Sequence, residues 1–137
     1  MTFIVFTRLR LKDPALTDEF FTDAVAALEQ AQTSDGNLGA DALADANNAW
    51  WTVTAWPDRK HMNTFVGSEP HRGIMSRLDR YCDEATFVDW EQDGTDLPDW
   101  RTGWRRMVDE GTAATLSQPS PAHQSRDFPA PVVPPSS

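Results

Sequence analysis

The segment from Trp50 to Trp90 constrains the fold most, because two aromatic strands flank one broken helix in it. The first strand, residues 49–56, alternates with period two. One of its faces carries aromatic and hydroxyl side chains: Trp50, Thr52, Thr54 and Trp56. An amphipathic helix follows that is interrupted at residues 67–70, and a second strand occupies residues 85–91. The segment therefore predicts a small domain of the α+β class.

The residues before this segment complete the order of elements. Residues 3–12 alternate as a strand, an amphipathic helix then runs to about Gln32, and a weaker strand follows at 37–45. The order β-α-β-β-α-β is ferredoxin-like and predicts a four-stranded antiparallel sheet with both helices on one face. The opposite face is too aromatic to stay in water. A second copy of the same sheet would cover it, which predicts a homodimer.

The chain of 137 residues divides by composition into three parts. Residues 1–96 are expected to form one folded domain. Residues 97–110 are expected to form a helix with an apolar stripe of Trp100, Trp104, Met107 and Val108. This helix either packs on the sheet or a partner subunit, or it closes a pocket as a lid. Residues 111–137 are rich in Pro and Ser and are predicted to be a disordered tail.

Charge and cysteine content exclude several classes of function. A formal net charge of −9 argues against nucleic acid and against an anionic membrane surface. Cys82 is the single cysteine, so no disulfide forms within the chain, and a reducing compartment is expected. No signal peptide and no apolar run of about 20 residues is visible. We therefore expect a cytoplasmic protein that does not contact membranes.

The residues of the central segment carry a resemblance to a known family. The pattern consists of Thr54-x-Trp56, Asp58, Phe65, Ser68-x-Pro70-His71, Met75, Leu78 and Phe87-Val88-x-Trp90. Over residues 3–91 it resembles the antibiotic biosynthesis monooxygenase-like proteins of the dimeric α+β barrel superfamily. The resemblance implies a homodimeric barrel. It also implies a monooxygenase that needs no cofactor and acts on a small aromatic or polyketide-like substrate.

The haem-degrading branch of that superfamily can be tested by residue. Its members have a tryptophan where this chain has Phe65, and a histidine where it has Met75. They also have an asparagine on the first strand, and residues 3–12 contain none. Because the axial iron ligand is absent, the sequence disfavours haem degradation.

His71 is the strongest candidate for a catalytic residue, because a neutral imidazole at the helix break could take a proton from a phenol or enol. Arg8 is the candidate charge partner for the developing enolate. Both have structural alternatives: His71 could hold the helix break, and Arg8 could pair with a nearby Asp. The predicted substrate-binding residues are Trp50, Thr54, Trp56, Phe65 and Met75. The alternation leaves open whether the Trp50 face lines a pocket or packs against the helices.

Other site chemistries find little support in the sequence. His61 and His71 are ten residues apart across a helix break, and no Cys-x-x-Cys exists, so no metal site is predicted. Cys82 has no evident paired base, which disfavours a cysteine nucleophile.

Three functions remain open: a monooxygenase, a non-catalytic or stress-related dimer that binds a small apolar or aromatic ligand, and an isomerase or cyclase. If neither His71 nor Arg8 points into a common cavity, binding or a structural role is favoured. Oxygen consumption separates the monooxygenase from the isomerase.

Overall fold

A computed structural model of the chain describes residues 1–132, which form one five-stranded sheet with helices on both faces. The strands are β1 (Thr2–Leu11), β2 (Gly39–Ala44), β3 (Ala49–Trp56), β4 (Cys82–Gln92) and β5 (Thr112–Ala113). The helices are α1 (Thr17–Thr33), α2 (Arg59–Val66), α3 (His71–Met75), α4 (Leu78–Tyr81), α5 (Trp100–Glu110) and α6 (Pro121–Ser125). The strand order is β2-β3-β1-β4-β5, and every neighbouring pair is antiparallel.

Aspartates define where two of the helices begin. The Asp58 carboxylate accepts a hydrogen bond of 2.9 Å from the His61 amide at the start of α2. The Asp99 carboxylate accepts one of 2.8 Å from the Thr102 amide at the start of α5. Each satisfies an amide that the first helical turn leaves without a partner.

Strand β1 is the centre of the sheet, and its alternation separates two different environments. Phe6 pairs with Val53 on one side and with Val88 on the other. Thr7 pairs with Thr52 and Phe87 in the same way. Because successive side chains point to opposite faces, Phe6 and Thr7 mark the two faces, which we call the Phe6 face and the Thr7 face.

The helices α1, α2 and α3 cover the Thr7 face. Phe20 and Ala24 of α1 join Leu9, Leu78 and Tyr81 in one buried cluster. A second cluster surrounds Trp56 and Phe65. This is the helix layer that the sequence predicts.

The Phe6 face is covered by the chain itself, by residues 97–132, which we call the C-terminal segment. Met107 and Phe128 of this segment are buried against Phe6, Trp51 and Val53. The aromatic face is therefore not bare. The argument that led from a bare face to a homodimer does not hold, and the homodimer stays a prediction.

The order β-α-β-β-α-β and the antiparallel sheet are confirmed, with three corrections. The sheet has five strands and not four, because Thr112–Ala113 pairs with β4. The second helix is divided into α2, α3 and α4. The disordered tail is wrong for residues 111–132, which contain β5, α6 and the buried Phe128. Residues 133–137 lie outside the described part of the chain, and the boundary at residue 96 stays a prediction.

Helix α5 is not a lid over the Thr7 face, since its own Trp104 and Met107 pack on the Phe6 face. Of the helices in residues 1–132, none has the length and apolar character that crossing a membrane requires.

Candidate functional site

A cavity of about 270 Å³ lies between the Thr7 face of the sheet and the helices α1 to α3. Its walls are mostly apolar. The sheet contributes Val5, Thr7, Leu9, Trp50, Thr52, Thr54, Phe87 and Asp89. The helices and their connections contribute Phe20, Ala24, Ala27, Leu28, Ala31, Met62, Phe65, Val66, His71, Ile74, Met75 and Leu78. A concave apolar site with a few polar groups is the usual form of a small-molecule site.

Small residues on α1 keep this space open. Ala24, Ala27 and Ala31 all line the cavity and recur at spacings of three and four on one face of the helix. A methyl side chain lets the helix pack close to the sheet without filling the gap. The amphipathic pattern that makes α1 a helix thus also makes room for a ligand.

His71 enters the cavity at the start of α3, and the neighbouring structure holds it firmly. Its ring lies 4.7 Å from the ring of Phe65, measured between centroids. Its ring nitrogen Nδ1 is 3.2 Å from the Val66 carbonyl oxygen, so Nδ1 carries the proton and donates it. Its backbone amide donates a hydrogen bond of 2.7 Å to the side-chain oxygen of Gln30 on α1.

Gln30 also holds the other end of the same connection. Its amide nitrogen donates to the Phe65 carbonyl at 3.1 Å and to the Ser68 carbonyl at 3.3 Å. One side chain of α1 therefore fixes both sides of the 67–70 break, and with it the position of His71.

The electrostatics favour a neutral His71. Burial lowers the pKa of His71 below its ordinary value of 6.5, and the hydrogen bond to Val66 offsets this only in part. With Nδ1 protonated, Nε2 carries a lone pair. Nε2 makes no hydrogen bond within residues 1–132. It is also not fully buried, so a ligand can reach it. His71 is thus placed to accept a proton at neutral pH.

Hydroxyl groups lie on the floor of the cavity. Thr7 and Thr52 are direct cross-strand partners, so their side chains lie about 4.5–5.5 Å apart at Cβ. Neither hydroxyl takes part in a hydrogen bond among the described residues. Thr54 differs, because its hydroxyl accepts a bond of 2.9 Å from the Trp56 indole. Two hydroxyls are therefore free to bind an oxygen atom of a ligand.

Asp89 and Arg59 lie at the open side of the cavity. The Asp89 carboxylate is 42% exposed and 3.3 Å from the Arg59 guanidinium. Of the side chains that line the described cavity, only His71 and Asp89 can ionise. The interior therefore suits a ligand that is mostly apolar.

Four of the five predicted substrate-binding residues line the cavity: Trp50, Thr54, Phe65 and Met75. Trp56 does not line it. It is fully buried and stacks behind Phe65, with 5.2 Å between ring centroids. The open question of the Trp50 face is resolved as well, since that face packs against the helices and lines a cavity there.

The structure separates Arg8 from His71. Arg8 lies on the Phe6 face, where it is 1% exposed and 2.5 Å from the Glu84 carboxylate. Its guanidinium also lies over the rings of Trp51 and Phe128. Arg8 therefore cannot be the charge partner of His71 in this cavity, because the sheet lies between them. Arg8 does form a structural ion pair, but its partner is Glu84 and not the nearby Asp that the sequence analysis expects.

The other candidates lead to no second reactive centre. His61 lines a polar surface groove of about 410 Å³, where its Nδ1 is 2.7 Å from the Asp58 carboxylate. Burial raises the pKa of Cys82 to about 12, so its thiol stays protonated and is a poor nucleophile. Among residues 1–132, no three side chains of the types that bind metals come together.

Sequence reasoning missed Gln30, Thr7 and Asp89. A signal for Thr7 existed, since it is the one polar residue between Val5 and Leu9 on an otherwise apolar strand face. Gln30 gave no local signal, because its three partners lie 35 to 41 residues further along the chain.

The fold has counterparts among solved structures. Rv0793 from Mycobacterium tuberculosis matches with a TM-score of 0.63 at 12% identity, over 70% of this chain and 100% of that one. A structure described as an antibiotic biosynthesis monooxygenase matches with a TM-score of 0.60 at 15% identity, over 67% of this chain and 99% of that one. SnoaB, a cofactor-independent oxygenase from Streptomyces nogalater, matches in a mutant form with a TM-score of 0.57 at 10% identity, over 69% and 95%.

No protein-family model matches the sequence, and no curated protein does. The low identities of the structural matches show the fold alone. The chain has the ferredoxin-like fold of the antibiotic biosynthesis monooxygenase-like structures, which confirms the expected resemblance at the level of fold.

Proposed function

We propose that the chain is a monooxygenase that binds a small, flat, mostly apolar molecule in the cavity under α1 and removes a proton from it with His71. The observation that carries this proposal is the position of His71 in an apolar wall, with Nδ1 bound to the Val66 carbonyl and Nε2 without a hydrogen bond among residues 1–132. Burial lowers the pKa of His71, which favours its neutral form. The fold it shares with SnoaB, a cofactor-independent oxygenase, supports the same reaction class. The reaction assigned to this chain is part of the proposal.

The cavity volume limits the size of the substrate. About 270 Å³ is just below the roughly 300–1,000 Å³ of sites for drug-sized ligands. This favours a substrate of one or two rings. The faces of Phe65 and Trp50 suit an aromatic ring, and the hydroxyls of Thr7 and Thr52 suit its oxygen atom.

A bicyclic phenol such as 1-naphthol illustrates the balanced reaction. His71 Nε2 takes the phenolic proton, and the negative charge spreads over the ring to the carbon para to the oxygen. That carbon donates electrons to O₂, and a carbon–oxygen bond forms. The protonated His71 then returns the phenolic proton to the terminal oxygen, which gives a hydroperoxide. The ring carbon loses its hydrogen as a proton, the O–O bond breaks, and the released hydroxide takes up a proton and leaves as water. One naphthol and one O₂ give one 1,4-naphthoquinone and one water.

The residues of the chain have separate roles in this scheme. His71 moves the proton. Thr7 and Thr52 donate hydrogen bonds to the phenolate oxygen, which replaces the role once expected of Arg8. The apolar walls exclude water and so keep the phenolate reactive.

A ligand-binding protein without catalysis is the second candidate, and the absence of Arg8 from the cavity favours it. An enzyme that stabilises an enolate often places a cation beside it, and in residues 1–132 no cationic side chain lines this cavity. An isomerase or cyclase would use His71 in the same way but would return the proton without consuming oxygen.

The test combines binding and turnover with 1-naphthol as the probe. We expect the wild-type protein to consume one O₂ per quinone formed and to place one ¹⁸O atom from ¹⁸O₂ in the product. His71→Gln should lower turnover by about 10²–10⁴-fold, since general base catalysis contributes that much. Its affinity for naphthol should change little, because the apolar walls remain.

His61→Gln is the matched control, because this histidine lies outside the cavity, in the first turn of α2, where its ring contacts the Asp58 carboxylate. It should turn over like the wild type. Equal turnover by His71→Gln would remove His71 from the mechanism. Binding without O₂ uptake in the wild type would replace the oxygenase with the binding protein.

A further inference from the structure

We propose that the C-terminal segment takes the place of a partner protein on the Phe6 face, so that this chain functions as a monomer. The same face becomes a docking surface for a second copy only when the segment is displaced. This inference goes beyond the proposed function, and the cavity on the Thr7 face is not part of it.

The segment crosses the whole width of the sheet. Ala114 donates its amide to the Ala85 carbonyl of β4 at 2.9 Å, next to the β4–β5 pairing. At the other end, the Val132 carbonyl accepts a hydrogen bond of 3.1 Å from the Ala46 amide, beside the turn between β2 and β3. The segment therefore reaches both edges of the four long strands.

The contact with the sheet is too close to be incidental. A Cβ atom added to Gly103 of α5 would lie 2.1 Å from the Phe6 ring. A Cβ on Gly111 would lie 2.7 Å from the Thr86 methyl group. Helix α5 at Gly103, and the chain just after it at Gly111, thus approach the sheet so closely that an added side chain would need its neighbours to move.

Specific polar contacts hold the segment in register. The Trp104 indole donates to the Phe128 carbonyl at 2.9 Å, which links the first and last parts of the segment. The buried His123 accepts from the Ala85 amide at 3.2 Å and donates to the Ala114 carbonyl at 2.7 Å. Ser120 donates to the Glu84 carboxylate at 2.8 Å. These partners are spread along the segment, so it is bound over its length.

The surface below the segment is apolar and would not stay exposed. Ile4, Phe6, Trp51, Val53 and Val88 are each at most 5% exposed, and they form one cluster with Met107 and Phe128. Without the segment, this cluster would be a contiguous hydrophobic patch on an open sheet, the kind of surface that marks a protein interface.

The coverage of the structural matches supports the view that the C-terminal segment is an addition to the shared fold. The three matches described above extend over 67–70% of this chain but over 95–100% of the other chains. About 30% of this chain thus has no counterpart in them, and residues 97–137 are about that long. The cavity is lined by residues of one chain on the other face, so its walls need no partner.

The experiment measures the mass of the full-length chain in solution. We expect wild-type protein to remain at 15.3 kDa by analytical ultracentrifugation from about 1 to 100 µM. Gly103→Val should push α5 away from Phe6 and give a species of twice that mass whose share rises with concentration. Thr102→Val is the matched control, because this neighbouring position is exposed, and it should stay monomeric.

A milder variant keeps the test decisive if Gly103→Val does not fold. Trp104→Phe removes the hydrogen bond to Phe128 and keeps an aromatic ring on the apolar cluster, and it should raise hydrogen exchange at the Ala114 and Ser120 amides at least tenfold and increase self-association. A wild-type dimer at low micromolar concentration would overturn the proposal. So would a Trp104→Phe protein that exchanges faster at these amides yet stays monomeric at 100 µM.

Discussion

Replacing Glu84 with methionine should destabilise this fold more than replacing Arg8, although the two residues form one ion pair. Glu84 has three partners: Arg8 at 2.5 Å, Arg10 at 2.7 Å and Ser120 at 2.8 Å. Arg8 has one acidic partner, which is Glu84. Burial alone would raise the pKa of Glu84, but the hydrogen bonds from these three partners lower it below its ordinary value. The two substitutions therefore differ: Glu84→Met leaves the Arg8 charge without its ion pair, whereas Arg8→Met leaves Glu84 with two partners.

The expected losses in the free energy of unfolding depend on which charged group each substitution leaves buried. In Glu84→Met, the Arg8 guanidinium stays 1% exposed and loses its direct ion pair, and it keeps the rings of Trp51 and Phe128 and the more distant Asp83 carboxylate nearby. A buried charge that loses its partner costs about 3–5 kcal/mol. In Arg8→Met, Glu84 keeps Arg10 and Ser120, so we expect a loss of about 1–3 kcal/mol. The double variant should be more stable than Glu84→Met, because no unpaired charge remains.

Urea titration followed by circular dichroism measures these free energies of unfolding. Arg72→Met, in an exposed pair with Glu69, is the control and should leave the midpoint close to that of the wild type. If Arg8→Met costs as much as Glu84→Met, the reasoning from partner number is refuted. Arg8→Met should also keep the affinity for naphthol, because Arg8 lies across the sheet from the cavity. A large loss of affinity at unchanged folding would restore Arg8 to the site.

Two further predictions concern the cavity wall. Because the pKa of His71 is lowered in the folded chain, the unfolded chain binds the proton first, so stability should fall as pH drops below 6.5. His71→Gln should reduce that slope in urea titrations at pH 5 and 7; an unchanged slope would contradict it. Gln30→Leu should cost about 1–3 kcal/mol and lower turnover, since three backbone groups near His71 lose a partner. Gln32→Leu, exposed on the same helix, should change neither quantity.

The strands were predictable because their signal is local. Alternation along residues 3–12 and 49–56 fixes which side chains share a face without any knowledge of the partners. The structure places these strands at Thr2–Leu11 and Ala49–Trp56. The aspartates before α2 and α5 were local signals of the same kind.

The folded structure of the C-terminal segment could not be predicted from composition, because it depends on contacts with residues far away in the sequence. Proline and serine suggest a chain that buries too little apolar surface to fold. Yet Phe128 reaches the cluster around Trp51, and His123 binds the Ala85 amide 38 residues before it. A few long-range contacts outweigh an unfavourable average composition.

Arg8 was assigned to the wrong face because alternation does not give the register between strands. The pairing of Thr7 with Thr52 puts Arg8 beside Trp51, and so on the face opposite to Trp50 and Thr54. A shift of the register by one residue would have placed Arg8 in the cavity. His71 could be placed more securely, because the helix break at 67–70 fixes its position within a few residues of sequence.

The separation of charges across the sheet has a chemical consequence for the cavity. Arg8, Arg10, Asp83 and Glu84 form a network on the Phe6 side, joined by contacts of 2.5–3.2 Å. On the Thr7 side, His71 is the one histidine among the described residues that line the apolar cavity, and Asp89 pairs with Arg59 at the exposed mouth. An anion formed here by the proposed reaction would receive no fixed positive charge from the side chains of residues 1–132 that line the cavity, so it would rely on hydroxyl donors and on its own delocalisation. A phenol or extended enol meets that requirement, because its charge spreads over several atoms, whereas a localised alkoxide or carboxylate does not. Under the proposed oxygenase reaction, this distribution of charge favours delocalised anions that can react directly with oxygen, and a simple aliphatic alcohol of equal size should not turn over.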